Sequence, residues 1–96
     1  MENSKHYLYV LECNDASFYA GYTTNIERRI KQHNDGKGAK YTRSRVPVRC
    51  IYQEEFLSKR EAMQAEYAFK QLTRTNKERY MREGKNNDKE PKEFFK

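Results

Sequence analysis

Two periods of apolar spacing divide this chain. His6-Tyr7-Leu8-Tyr9-Val10-Leu11-Glu12-Cys13 is rich in aromatic and branched residues and reads as a strand. Asn14-Asp15 is turn material, and Ser17 to Thr23 reads as a second strand, so the pair forms an antiparallel hairpin. The period then changes. Thr24 with Glu27 three residues on is a capping box, and Ile26, Ile30 and His33 share one helical face with Arg29 between them, until Asn34-Asp35-Gly36 ends the helix. Lys37 to Pro47 holds Gly38 and Pro47 and no clear period; it reads as a basic loop with room for a short helical turn. Val48 to Phe56 reads as a third strand. Ser58 and Glu61 form a second capping box ahead of Ala62, Ala65, Phe69 and Leu72, a stripe stepping by three and four. Asn76 to Arg82 reads as a short third helix. The expected fold class is α+β: a small three-stranded antiparallel sheet flanked by helices. The expected domain is 1–82, with 83–96 a flexible charged tail, because four bases and four acids there leave almost nothing apolar before Phe94-Phe95.

The hairpin carries a parity condition. Side chains alternate across a strand, so Tyr9 and Tyr19 share a face only if paired positions sum to an even number. A two-residue loop at Asn14-Asp15 would put them on opposite faces; a three- or five-residue loop would bring them together.

Composition adds a charge asymmetry. The 96 residues suit one small domain with a modest core, and charged residues make up 35%, as hydrophobic ones do. Net charge is +6, but from Arg28 to Arg49 eight Lys/Arg face a single acid, Asp35, leaving +7 on that stretch. Aromatic and hydroxyl residues are interleaved with the bases in Gly38-Ala39-Lys40-Tyr41-Thr42-Arg43-Ser44-Arg45. A solvated basic face would need no such mixture; a nucleic-acid surface uses it, since phosphate contacts release counterions and rings stack on bases. Lys37, Lys40, Tyr41, Arg43 and Arg45 are the candidate contacts. Two cysteines, Cys13 and Cys50, sit in apolar strand segments and make no disulfide framework, and with the two histidines 27 apart a structural zinc site has no support. There is neither a signal peptide nor an apolar run long enough for a membrane span, so the expectation is a soluble cytoplasmic protein.

Glu66 is the informative carboxylate. It lies one turn from both Ala62 and Phe69, at the edge of the buried stripe, where an ionised group wants a cation. The plain account is a salt bridge to Lys70 at i+4; the functional one is a ligand to a hard cation such as Mg²⁺. Arg29 either packs its stem along the sheet or aims its planar fork at a phosphate. His33, one turn on, is either a packing residue or a partner in that site. A tyrosine hydroxyl titrates near 10 and is a poor base unless cations or a metal-bound water draw off its proton.

Taken in order, these residues resemble the GIY-YIG nuclease superfamily. Tyr7-Leu8-Tyr9 stands where that family's first motif lies and Tyr19-Ala20-Gly21 where the second lies, with ten residues between Tyr9 and Tyr19 and ten more to Arg29. Glu66 stands where a later helix carries a glutamate, and Gly36 to Thr42 is similar to a Gly-Lys-Gly-Ala-Lys-Tyr-Thr segment of the small single-domain bacterial members. The resemblance covers about residues 5–82. It implies the three-stranded sheet already read from periodicity, and phosphodiester hydrolysis in DNA with one Mg²⁺ or Mn²⁺ ion. Tyr9 would be the general base, Tyr19 would orient the nucleophile or phosphate, and Arg29 would stabilise phosphate charge. Glu66 would hold the metal, and His33 would assist. Departures are Tyr7, where the first motif has glycine, and Tyr22, where some members carry lysine; Asn76 is the asparagine nearest one that members often have late in the domain.

The leading expectation is therefore a metal-dependent DNA endonuclease with a tyrosine base, with branched or damaged DNA, of the kind met in DNA repair, as the substrate class to test. The alternative is a non-catalytic nucleic-acid-binding module of the same fold, and a third is a protein-interaction domain that meets an acidic partner. Neither of those needs a carboxylate such as Glu66 in a field of bases.

Overall fold

The computed structural model describes residues 5–86. The elements are β1 (His6–Glu12), β2 (Phe18–Thr23), α1 (Ile26–Asn34), α2 (Lys40–Arg43), β3 (Arg49–Phe56), α3 (Lys59–Lys70) and α4 (Arg74–Asn86). The three strands form one antiparallel sheet in the order β2-β1-β3, as the apolar pattern predicts.

β1 is the central strand and is covered on both faces, which is why it reads as a continuous apolar run rather than a clean alternation. Leu8 and Val10 point to one side, where they pack with Ala20 and Tyr52 against Ala65 and Phe69 of α3 and Tyr80 and Met81 of α4. Tyr9 and Leu11 point to the other, with Tyr19, Ile26, Ile30 and Val48 around them. A bulge between Val10 and Leu11 in the β1–β3 ladder adds Ile51 to the first cluster, beside Tyr52.

The hairpin meets the parity condition. Cys13 N–H donates to Ser17 O at 2.8 Å and Ala16 N–H to Cys13 O at 2.9 Å, closing a three-residue loop, Asn14-Asp15-Ala16, in which Ala16 takes φ 70°. Such loops end on a left-handed residue. Tyr9 pairs with Gly21 and Leu11 with Tyr19, so Tyr9 and Tyr19 lie on one face.

Two expectations are revised and one is met. The cap of α1 is Asn25, not Thr24: its side chain accepts from Arg28 N–H at 3.0 Å, while Asn25 N–H is itself bonded to Thr23 Oγ1 at 3.1 Å. Glu27 thereby sits in the first turn, where the helix dipole favours a negative charge. The helical turn in the basic loop is real, and it is α2. The last helix starts earlier and runs longer than Asn76 to Arg82, so residues 83–86 are helix and not tail. Its buried stripe is Tyr80, Met81 and then Gly84, where a Cβ would overlap the Tyr52 ring; the glycine reads as a stop but is a contact surface. Arg79 and Glu83 pair across the same turn at 3.1 Å. The rest of the expected tail, 87–96, lies outside the described residues. No helix among the described residues is long and apolar enough to cross a membrane.

Candidate active site

Four of the five predicted side chains meet on the β2 side of the sheet, where Tyr9 of the central strand leans across its cross-strand neighbour. That neighbour is Gly21, and a Cβ there would stand 2.5 Å from Tyr9 Oη and 2.6 Å from Cζ. The second motif's glycine is thus the floor on which the first motif's tyrosine lies, and no larger residue leaves the ring in place.

α1 brings Arg29 and His33, one turn apart, to the Tyr9 hydroxyl. Arg29 Nε–H donates to Tyr9 Oη at 3.2 Å, and its Nη1 donates to Gln32 Oε1 at 2.9 Å, which fixes the guanidinium plane. Its Nη2 has no partner among the described residues. His33 is fully buried, with Nε2 2.8 Å from Tyr9 Oη and Nδ1 2.8 Å from Thr42 Oγ1. Thr42 fixes the tautomer. Its hydroxyl donates to Ala39 O at 3.1 Å, so it accepts from His33 Nδ1–H. Nε2 is then an acceptor and takes the Tyr9 O–H. A chain of oriented bonds runs from Tyr9 through His33 and Thr42 into the backbone of the basic loop. Gly38 closes it from the side, where a Cβ would overlap the imidazole.

Burial governs the protonation states. It pushes the Tyr9 hydroxyl up to about 12, against the opposing hydrogen bond and charge of Arg29, with Tyr19 and the Glu66 carboxylate adding to the rise. Burial, with the Arg29 charge, holds His33 down at about 4. At neutral pH the pair is a protonated tyrosine and a neutral imidazole. The sequence-based expectation that cations would ease tyrosine deprotonation is outweighed by burial in the protein alone.

Tyr19 packs edge-on to His33, with ring centroids 5.2 Å apart, and lies 6.5 Å from Tyr9. Glu66 comes from the other layer: α3 packs on the Leu8 face, and the carboxylate reaches the β2 edge with its side chain 18% exposed. The salt-bridge account of Glu66 is the one on view: its Oε2 lies 2.9 Å from Lys70 Nζ, and its charge adds a little to the rise at Tyr9.

Of the candidate nucleic-acid contacts, Lys37, Lys40 and Arg43 are exposed and have no ion pair among the described residues. Arg45 is engaged in the fold: Nε pairs with Asp15 Oδ2 at 3.0 Å, Nη1 donates to Tyr41 O at 2.7 Å, and Cζ lies 3.9 Å over the Tyr41 ring. Tyr41 is 38% exposed and stacks on Tyr19 at 6.0 Å, so the loop's aromatic residue is joined to the site itself. Beside this stack a shelf of about 240 Å³ is lined by Phe18, Tyr19, Tyr41, Phe69, Lys70 and Lys77.

The departures fall away from the tyrosine hydroxyl. Tyr22 lies on the opposite face of β2 and bonds His6 Nδ1 at 2.8 Å. Tyr7 lines a wider cleft, about 800 Å³, along β3 with Ile26, Ile30 and Cys50. Asn76 sits in the first turn of α4, its N–H on Thr73 Oγ1 at 3.2 Å. Residues to which sequence reasoning gives no role in the site are Thr42, Gln32 and Gly38. Thr42 and Gly38 belong to the Gly36–Thr42 segment, the one signal that marks them.

A tyrosine pair on a hairpin, an arginine–histidine helix and a glutamate helix around a three-stranded sheet define a GIY-YIG domain, and the chain belongs to that family: residues 5–80 match the GIY-YIG catalytic domain. Within it the chain is similar to the UPF0213 proteins. It is 68% identical over 83 residues to one from Bacillus licheniformis, with 86% of each chain covered. It is 59% identical over 86 residues to UPF0213 protein YazA of Bacillus subtilis, covering 90% of this chain and 87% of that one. The solution NMR structure of the protein EF2693 from E. faecalis superposes with a TM-score of 0.60 at 52% identity, over 96% of both chains.

Proposed function

We propose that this protein is a metal-dependent endonuclease that hydrolyses phosphodiester bonds in DNA. The single observation that carries this is the Tyr9–His33–Thr42 chain with Arg29 on the same hydroxyl. The chain gives the buried hydroxyl an acceptor for its proton and sets a cation beside it, the two things a general base at a phosphodiester needs.

The proton path follows from the tautomer. As Tyr9 Oη takes a proton from an attacking water, its own proton passes to His33 Nε2, so no free tyrosinate need form. The incoming phosphate is anionic and, placed beside the pair, raises the basicity of an imidazole otherwise held near 4. Arg29 Nη2 faces the charge that develops on the phosphate, and Gln32 keeps the fork from turning. Tyr19, packed between His33 and Tyr41, positions the nucleotide.

Glu66 would hold the divalent cation. Among the described residues no group of three or more His, Cys, Asp or Glu makes a closed cage. A lone, partly buried carboxylate suits Mg²⁺ or Mn²⁺, which takes one or two carboxylates and fills its shell with water and phosphate oxygens. When bound, the ion supplies Lewis-acid stabilisation of the phosphate and leaving oxygen.

Purified protein is expected to nick DNA with Mg²⁺ or Mn²⁺ across a panel of duplex, flapped and forked substrates, and Glu66→Ala is expected to stop cutting while leaving DNA binding intact. Cutting that survives both EDTA and Glu66→Ala would remove the mechanism. Binding without cleavage across the whole panel would leave the non-catalytic nucleic-acid module as the function.

The basic loop supplies a second test. Lys40 and Arg43 flank the Tyr41 turn, exposed. Changing both to alanine is expected to reduce the slope of log affinity against log salt by about two, at roughly 0.9 per lost phosphate contact on duplex DNA. An unchanged slope would place the DNA elsewhere.

A further inference from the structure

Lys70 lies where it must be dealt with before a cation can bind. Its ammonium is 2.9 Å from Glu66 Oε2, one turn along α3, and 5.8 Å from the centre of the Tyr19 ring. A divalent ion on the same carboxylate would sit beside a positive charge in a partly desolvated setting, where repulsion is poorly screened. The two cations are alternatives.

We infer that Lys70 is a built-in counter-ion that competes with the metal for Glu66 and, once displaced, binds a phosphate of the nucleic acid. This rests on Glu66 being the metal ligand. The structure supplies a destination for the displaced side chain. Lys70 lines the 240 Å³ shelf together with Lys77, Tyr19 and Tyr41, immediately beside the tyrosine pair. Two ammonium groups on one shelf repel each other unless an anion lies between them, so the shelf favours the displaced position when phosphate is present. The device couples the two ligands. Metal alone must break the Glu66–Lys70 pair with little return; metal with nucleic acid gives both partners of that pair a new one. The protein therefore takes up its ion with its substrate, a positive coupling that by linkage runs in both directions.

Lys70 is a positioning residue here, and its test is binding, not turnover. Mn²⁺ titrations followed by electron paramagnetic resonance, on Tyr9→Phe protein to suppress cutting, would be run with and without a phosphorothioate oligonucleotide, free oligonucleotide serving as the blank. Lys70→Met is expected to tighten Mn²⁺ binding to the protein alone by about tenfold and to shrink the gain that the oligonucleotide brings. Lys70→Arg, which keeps the charge, is expected to stay close to the parent in both. The Lys70 side chain is 45% exposed, so these variants should fold. Unchanged or weaker Mn²⁺ binding in Lys70→Met, with Glu66→Gln still abolishing it, would overturn the counter-ion role and leave Glu66 as ligand. Mn²⁺ binding indifferent to Glu66→Gln would remove the ligand assignment and this inference with it.

Discussion

Tyr9→Phe is expected to abolish most of the cleavage, by about 10²- to 10⁴-fold in kcat, the range general-base catalysis supplies. The ring keeps its place over Gly21 and only the hydroxyl is lost, so the fold and DNA affinity should stay close to the parent. The loss leaves His33 Nε2 and Arg29 Nε–H without their shared partner, a cost of roughly 1–3 kcal/mol in a buried site. A thermal scan separates that cost from the catalytic one. pH adds an independent check. His33 has a folded-state value lowered to about 4 from 6.5. Above 6.5 neither the folded nor the unfolded chain binds the proton. As pH falls from there toward 4 the unfolded chain takes it up first, so stability falls across that window. Substitution of His33 by a neutral isostere should flatten this acid limb. A variant Tyr9→Phe that cuts within threefold of the parent would end the case for a tyrosine base.

Phe69→Ala is expected to cost about 3–5 kcal/mol, a large-to-small change at a site with no exposed surface. Phe69 is the residue on which two layers meet: it faces Leu8, Val10 and Ala20 of the sheet and packs edge-on to Tyr80 of α4, 5.6 Å away. A domain of this size has roughly 5–15 kcal/mol in total, so the variant should lose at least about a fifth of its stability. Urea unfolding followed by circular dichroism would measure it. Tyr67→Ala, two residues away and 69% exposed, should change the unfolding free energy by no more than about 0.5 kcal/mol. Equal effects at the two positions would mean that α3 is not seated as described.

Strands and the α3 stripe are legible in the sequence because their signals are local. Aromatic runs bounded by Asn14-Asp15 carry the hairpin, and Ala62, Ala65 and Phe69 sit at the spacing only a helix buries on one side. Ser58 caps α3 through Glu61 N–H as the pattern requires. What fails is decided by tertiary contact. Gly84 reads as a break because propensity counts its missing side chain as a cost, whereas the Tyr52 ring fills that space. Thr24 and Asn25 are both good caps, and only the end of β2 decides between them. In the site, Tyr9, Tyr19, Arg29 and His33 come together as their spacing suggests. The tautomer that gives their cluster a direction depends on Thr42, nine residues beyond His33, and on a carbonyl that no side-chain pattern marks.

The sheet divides the proposed site between two layers. The tyrosine–histidine chain hangs from α1 and α2 on one face, while Glu66 arrives with α3 on the other. A slide of α3 along the sheet, with no change in the hairpin, would retune the cation's position while leaving the proton chain intact. In the proposed mechanism the proton chain and the cation's ligand thus belong to two different elements, and substitutions in α3 would alter ion preference without touching Tyr9, His33 or Thr42.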